Sequence, residues 1–344
     1  SLLVDVHIGH LNLAEAVLEE AKGGPISALD LMKQVELNAN VDEKLLEFSF
    51  DLALQEDGRF DEVGPSGETL WFLKQLEPQA VQEKPFYLQY LPIDYPREEI
   101  SSFIEMFEGD IFDELEIWDS ADSSQESVTI ALSFPHWRSG TLPLSSTLKS
   151  MFPTAYEAPR VKFTFVDTSE KEKFSGWVVR QGKYIYGLAQ WYEKHDLLPG
   201  SLVTVEKGEL PGEIKIRYEK SRQNKEWLKT VLVGTDFGFV YAMLKHPINA
   251  AYNERMAIAI PDINALDEIW KQKIYIKEPL DKSIMRVMRE LSKLNPQGQV
   301  HAQELYAAIN VIRRCPPGAM LYHLINNKQV THLGDLYFRI NDKE

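Results

Sequence analysis

Residues 127 to 220 carry the feature that most constrains the fold, a barrel-like run of short strands interrupted by short helices. Phe134-Pro135-His136-Trp137-Arg138-Ser139-Gly140 reads as a strand with an exposed basic turn. It leads into Thr141-Leu142-Pro143-Leu144 and a short helix through Met151. The strand Val161-Lys162-Phe163-Thr164-Phe165, a charged turn and Trp177-Val178-Val179-Arg180 follow. A tight link, Gln181-Gly182-Lys183, joins them to Tyr184-Ile185-Tyr186-Gly187 and an amphipathic helix from Leu188 to His195. The run closes with Leu197 to Val205 and ends near Tyr218.

The charge is unevenly spread. Net charge is −15, which at first argues against a nucleic-acid partner. From Ser1 to Pro135 there are 7 Lys+Arg against 29 Asp+Glu, a net of −22. From His136 to Lys229 there are 16 against 11, a net of +5, and the remainder is +2. Phosphate affinity depends on the local field rather than on the total, so the barrel segment remains a candidate for anions.

The 344 residues suffice for two or three domains. No window of about 18 apolar residues occurs, so no membrane span is expected. Ser1 opens without a basic and apolar leader, so no signal peptide is expected, and the missing Met suggests processing or a fragment. Cys315 is the one cysteine, which excludes an internal disulfide and fits a reducing, cytoplasmic compartment.

Helical blocks flank the barrel run. In the first, Leu13, Ala14, Val17, Leu18 and Ala21 share helical spacing, ended by Gly23-Gly24-Pro25. Ser27 caps a second helix carrying Leu29, Met32 and Val35, and Glu43 to Leu54 forms a third. Asp57 to Val63, the turn Gly64-Pro65-Ser66-Gly67 and Leu70 to Leu73 make a two-stranded wing. Phe86 to Glu126 is acidic, with no Lys or Arg between Arg97 and Arg138. Ile100, Phe103, Ile104 and Phe107 have helical spacing, so a structured connector is expected there, and Asp119 to Ser127 reads as a loop. A second connector, Glu226 to Ile274, holds the strand Thr230 to Val233. From Pro279 to Ile340, a face of Ile284, Val287, Met288 and Leu291 precedes a helix with Leu305, Ala308 and Val311. A third helix begins at Pro316-Pro317, and Val330 to Phe338 forms a wing.

The first block resembles the winged-helix module of the bacterial RNA polymerase delta subunit, the HARE-HTH family. The resemblance rests on Gly24-Pro25-Ile26-Ser27, Glu56-Asp57-Gly58-Arg59-Phe60 and the Trp71 wing strand, with a longer wing here. The run from 127 resembles the DNA-binding pseudobarrel family of plant auxin-response factors and restriction-enzyme effector domains. The expected class is therefore α+β and multidomain: a winged helix over 1–80, an acidic connector over 81–126, a pseudobarrel over 127–225, a connector over 226–278 and a second winged helix over 279–344.

The pseudobarrel resemblance implies two arms reading DNA, one of His136, Trp137, Arg138 and Ser139, the other of Arg180, Gln181, Lys183 and Tyr184. Lys149, Arg160 and Lys162 are candidates for phosphate contacts. Arg, Gln and Ser match the donor and acceptor pattern of base edges. The competing reading makes Trp137 half-buried and Arg138 a strand cap in a barrel that binds no DNA. A narrower one has Trp137 and Tyr184 stack on a flipped base. In the last block Arg313, Arg314, Lys328 and His332 suit a phosphate-binding edge, set against a solvated face on a docking domain. The acidic third helix of the first block favours a protein partner, and the acidic region either covers the DNA face or docks on a basic surface.

Catalytic signals fail on their context. His7-Ile8-Gly9-His10 lacks the sheet and second signature of an aminoacyl-tRNA synthetase, and no third ligand makes it a metal site. Gly234 to Gly238 holds a kinase-like Asp-Phe-Gly without its companions, so it reads as a turn. The pairs Glu98-Glu99, Glu114-Glu116 and Asp119-Asp122 read as solvated acidic faces. Cys315 sits at a helix start, where a thiolate is favoured, but no base is assigned to it. The expectation is a non-enzymatic bacterial protein of transcription regulation that binds duplex DNA by sequence or base modification, without cofactor, metal or membrane. The alternatives are an interaction scaffold of the transcription machinery and the specificity subunit of a restriction-modification system.

Overall fold

Backbone caps and apolar spacing set out the first block of the computed structural model, which describes residues 3–107, 110–116, 125–155 and 158–341. Helix α1 (Ile8–Glu20) starts where His7 Nδ1 accepts the Gly9 N–H. It ends at Gly23, whose φ of 103° and contact with the Phe72 ring leave no space for a side chain. Strand β1 (Ile26–Ser27) leads to α2 (Ala28–Gln34), capped by the Ser27 hydroxyl as its sequence predicts. Helix α3 (Glu43–Glu56) follows, capped by Asp42, then β2 (Phe60–Glu62) and β3 (Leu70–Leu73). The three strands form an antiparallel sheet with β3 central. Leu18, Leu31, Phe50, Leu54, Trp71 and Leu73 fill the core between helices and sheet.

The acidic connector is structured, as the spacing of its apolar residues predicts. It contains α4 (Gln79–Gln82), two 3₁₀ turns (Phe86–Leu88 and Arg97–Ile100) and α5 (Ser101–Phe107). Ile100, Phe107 and Ile111 are buried in the core of the C-terminal block. Asp119 and Asp122 lie outside the described residues.

Seven strands then curl into a half-barrel. In chain order the elements are β4 (Ser127–Ala131), α6 (Phe134–Ser139), β5 (Thr141–Pro143), α7 (Ser146–Lys149), β6 (Arg160–Asp167), β7 (Lys173–Val179), β8 (Tyr184–Tyr186), α8 (Ala189–Lys194), β9 (Leu202–Lys207) and β10 (Glu213–Tyr218). The sheet order is β4-β9-β10-β6-β7-β8-β5, antiparallel except for the parallel pair β6/β10. Alternation along β6 turns Val161, Phe163 and Phe165 inward against Ile185, Val203 and Ile216.

One expected element is corrected. Phe134 to Gly140 is a helix rather than a strand with an exposed turn. Pro135 sits in its first turn, where no N–H is needed, and Phe134, Pro135 and His136 are buried. Gly140 closes it at φ 65°, and a Cβ there would lie 2.5 Å from that of Ala189.

The remaining chain forms β11 (Lys225–Val233), β12 (Phe239–Pro247), β13 (Ile258–Ala259) and α9 (Ile263–Lys271). Next come α10 (Leu280–Ser292), β14 (Gln299–His301), α11 (Ala302–Ile312), α12 (Pro317–Ile325), β15 (Val330–Gly334) and β16 (Tyr337–Ile340). Residues 234–238 are the turn of the β11–β12 hairpin. From α10 onward the order is helix, strand, two helices, two strands, with sheet order β14-β16-β15. That order and the central place of the last strand repeat those of the first block. Val231, Tyr241, Trp270, Ile284, Met288 and Leu305 share one core with the buried connector residues. Among the described residues no helix is long and apolar enough to cross a membrane.

Candidate functional site

The turn after β7 builds one side of a cleft. Lys183 adopts a left-handed φ of 57°, its N–H donates to Arg180 O at 3.2 Å, and its carbonyl accepts the Leu144 N–H at 2.9 Å. This holds Arg180, Gln181 and Lys183 at an exposed bend. Opposite it, α7 begins at the Ser145 cap and ends at exposed Lys149. Between them lies a cleft of about 540 Å³ with Phe152 and Val178 in its walls and Glu114 and Glu116 in its lining. The Arg180 guanidinium donates to the carbonyls of Ala155 and Ala158, which fixes its direction at the rim. Lys84 lies beside Gln181 in an adjoining hollow, and burial pushes its ammonium below the ordinary range.

The other expected arm is largely packed away, and only Arg138 of its four residues is exposed. His136 is buried, with Nδ1 2.8 Å from Thr141 Oγ1 and Nε2 2.7 Å from Glu114 Oε2. Trp137 is half-buried and donates from Nε1 to Leu197 O at 2.7 Å. Arg138 reaches solvent but is engaged by Asp267, with Nη2 to Oδ2 at 2.7 Å and Nε to Oδ1 at 3.1 Å. Its guanidinium also sits 5.6 Å from the centre of the Tyr87 ring, and Tyr87 donates to the same aspartate. Ser139 Oγ is buried without a hydrogen-bond partner among the described residues. The exposed basic turn is thus replaced by a packed helix in which His136 is turned inward and Arg138 is held at the surface by Asp267.

The first block covers three further candidates. Arg160 pairs with Asp61 at 2.7 Å and Glu77 at 2.9 Å, and donates to Val81 O. Lys162 is half-buried, its ammonium is pushed down by burial, and its N–H donates to Val63 O. Tyr184 is buried, donating to Ala80 O at 2.5 Å, beside Val63, Phe72 and Trp177. Burial removes Tyr184 from stacking on a flipped base, and Trp137 is half-buried with its Nε1 tied to Leu197 O.

In the C-terminal block the expected phosphate edge is also corrected at two of its four positions. Arg313 is buried and donates to Tyr275 O, Glu278 O and Ser283 Oγ. Arg314 is buried against Asp113 at 2.7 Å and Glu114 at 3.0 Å. Burial opposes the Arg314 charge, but the two carboxylates outweigh it and hold the guanidinium above its ordinary range. Burial likewise works against Glu114, yet Arg314 and His136 hold its carboxyl below the usual range. Lys328 and His332 are exposed, with the His332 ring 5.0 Å from that of Phe103.

These ion pairs correct the reading of Glu114 and Glu116 as a solvated face. Glu114 is a buried counter-ion, and Glu116 accepts the Gly318 N–H at 2.9 Å at the start of α12. Glu98 and Glu99 are exposed, as that reading predicts. The pairing acids Asp61, Glu77, Asp113 and Asp267 carry no motif. The one signal pointing to Asp61, Glu77 and Asp113 is the excess of acid ahead of the barrel, and nothing in the sequence points to Asp267.

Among the described residues neither metal nor thiol chemistry finds a built site. Asp167, Glu170 and His195 place ligand atoms within 4.8 Å of one another. Asp167 Oδ1 already accepts from Ser169 and Glu170, Oδ2 accepts from Trp191 Nε1 at 2.7 Å, and Glu170 pairs with Lys194. Cys315 is buried, and burial pushes its thiol up to about 12, which overturns the favoured thiolate. Comparison with family models, curated proteins and solved structures returned no match.

Proposed function

We propose that this chain is a non-catalytic protein that binds duplex DNA through the cleft at the β7–β8 turn. The observation that supports this reading is the shared placement of Lys149, Arg180, Gln181 and Lys183 at one exposed rim. Lysine and arginine side chains there supply phosphate affinity, and Gln181 offers an amide to a base edge. The reading takes the half-barrel as a DNA-binding pseudobarrel and the two terminal blocks as winged helices. Its support is the mixed seven-stranded sheet and the helix, strand, helix, helix, strand, strand order found at both ends.

A second reading, an interaction scaffold, has its own support in the third helices. Helix α3 exposes Glu43, Lys44 and Phe48 with Glu47 half-buried beside them, a net acidic surface that disfavours phosphate and suits a basic protein partner. Helix α12 packs against α5 and is met at its start by Glu116, so it is not free to enter a groove.

Fluorescence anisotropy of the whole chain with duplex DNA over a salt series tests the first reading. Removing one phosphate-binding cation should flatten the log–log salt slope by about 0.9. Lys183→Ala is expected to flatten it by that amount. Absence of salt-dependent binding at low salt rejects the reading in favour of the scaffold.

A further inference from the structure

Strand β12 is nine residues long and lies at the free edge of its sheet, order β12-β11-β13. Its hairpin closes through Gly234 N–H to Gly238 O at 2.8 Å, and the register runs unbroken from Val233↔Phe239 to Lys225↔Pro247. Antiparallel pairs alternate between bonded and non-bonded, so counting from that closure directs the backbone of Val240, Ala242 and Leu244 toward β11. The N–H and C=O groups of Phe239, Tyr241, Met243 and Lys245 therefore point away from the sheet. Among the described residues none of them has a backbone partner outside the hairpin.

Apart from Lys245 and His246 the side chains of β12 are apolar. Val240 is 46 % exposed, and Leu244 and Leu232 are 38 % exposed, all on one face. Five of the fifteen exposed large hydrophobic side chains of the described residues fall on this hairpin, with Trp227 and Met243 on its other face. A long, apolar, unpaired edge is a template for a further strand.

We propose that β12 pairs antiparallel with β12 of a second copy, centred on Ala242, to join two three-stranded sheets into one sheet of six. The strand's own composition selects this occupant and this register. Centring on Ala242 sets Val240 opposite Leu244, Tyr241 opposite Met243, and Phe239 opposite Lys245, with no like charges facing. The outward groups of one strand then meet the outward groups of the other. Pro247, which has no N–H to give, falls beyond the paired stretch. Moving the centre to Met243 would set Pro247 against Phe239 and Val240 against His246, which removes a donor and breaks an apolar pair.

Each copy carries a net charge of −15, so salt should favour this association by screening. DNA binding responds to salt in the opposite sense, which keeps failure of one proposal distinct from failure of the other.

The test is the mass of the whole chain by light scattering across micromolar concentrations, at low and moderate salt. A doubling of mass that strengthens with salt is expected. The double variant Val240→Lys, Leu244→Lys, which alters only exposed side chains, should remain monomeric while keeping its far-ultraviolet spectrum. Ala242→Cys should form an intermolecular disulfide under mild oxidation, since Cys315 is buried and does not compete. Leu232→Cys, which sits off the edge, should not. A monomeric wild type at every concentration overturns the proposal, as does a dimer that survives the double lysine variant or crosslinks equally through residue 232.

Discussion

Arg160 reaches from the first strand of the β6/β7 pair to Glu77 near the end of the first block, Nη1 to Oε2 at 2.9 Å, while the same nitrogen holds Asp61 at 2.7 Å. Two carboxylates therefore share one guanidinium at the seam between the first block and the half-barrel. Burial first, and the nearby Asp61 charge second, push the Glu77 carboxyl up to about 7 from an ordinary 4.5. A side-chain hydrogen bond with Asp61 adds to the rise.

A carboxyl whose folded pKa exceeds its unfolded value binds more protons when folded, so its contribution to stability falls as pH rises between the two. Glu77 should therefore make the chain less stable as pH goes from about 4.5 to about 7. His301, pushed down to about 4 by burial from an ordinary 6.5, acts in the opposite sense between those two values, which covers most of that range. The difference in thermal midpoint between wild type and Glu77→Gln isolates the Glu77 effect. The variant should gain on the wild type as pH rises, and a constant difference contradicts the assignment.

Arg314 neutralises Asp113 and Glu114 in the interior, where its side chain is 2 % exposed and theirs 0 %. Arg314→Leu strips Asp113 of its buried cation and leaves Glu114 with His136 alone, a change that costs about 3–5 kcal/mol. Urea unfolding should show a loss of that size. A loss under about 0.5 kcal/mol would place the residue among ordinary surface positions.

The Cys315 thiol should resist alkylation in the native chain at mildly alkaline pH and react promptly in denaturant, because burial keeps it protonated. Mass spectrometry of iodoacetamide-treated samples reads this directly. Rapid native labelling would mean that the α11–α12 junction opens readily.

Trp270 is fully buried and its Nε1 donates to Val311 O at 2.8 Å, tying α9 to α11. Trp270→Ala removes the ring and orphans that carbonyl, at a cost of about 3–5 kcal/mol. Equilibrium unfolding that shows a cost below about 1 kcal/mol, the scale of one net hydrogen bond, would contradict the shared core.

Local signals made much of the architecture legible. The Ser27 cap, Pro317 in the first turn of α12, and the face of Ile284, Val287, Met288 and Leu291 each determine an element through neighbours a few residues away. Phe134 to Gly140 was not legible, because Pro135 reads as a turn and the helix owes its form to burial against Tyr87 and Trp270. The site was legible in part. Arg180, Gln181 and Lys183 meet because β7 and β8 form a hairpin, a relation short enough to read, whereas Lys149 joins them from α7 through the Leu144–Lys183 backbone bond. The partners of His136 and Arg314 were not, since Glu114 lies 22 and 200 residues away from them in the chain.

Those same pairs bear on how DNA binding must be measured. The half-barrel takes its buried Glu114 from the connector, so a fragment lacking it would carry an unsatisfied His136. The whole chain is therefore the material for comparing two charge reversals by anisotropy at low salt: Lys149→Glu with Lys183→Glu at the cleft, and Lys328→Glu on the distant wing. The account predicts salt-dependent binding by the wild type, its loss in the cleft variant, and binding within about threefold of wild type, under about 1 kcal/mol, in the wing variant. Wild-type binding that survives cleft reversal and disappears on reversal of Lys328 would contradict it.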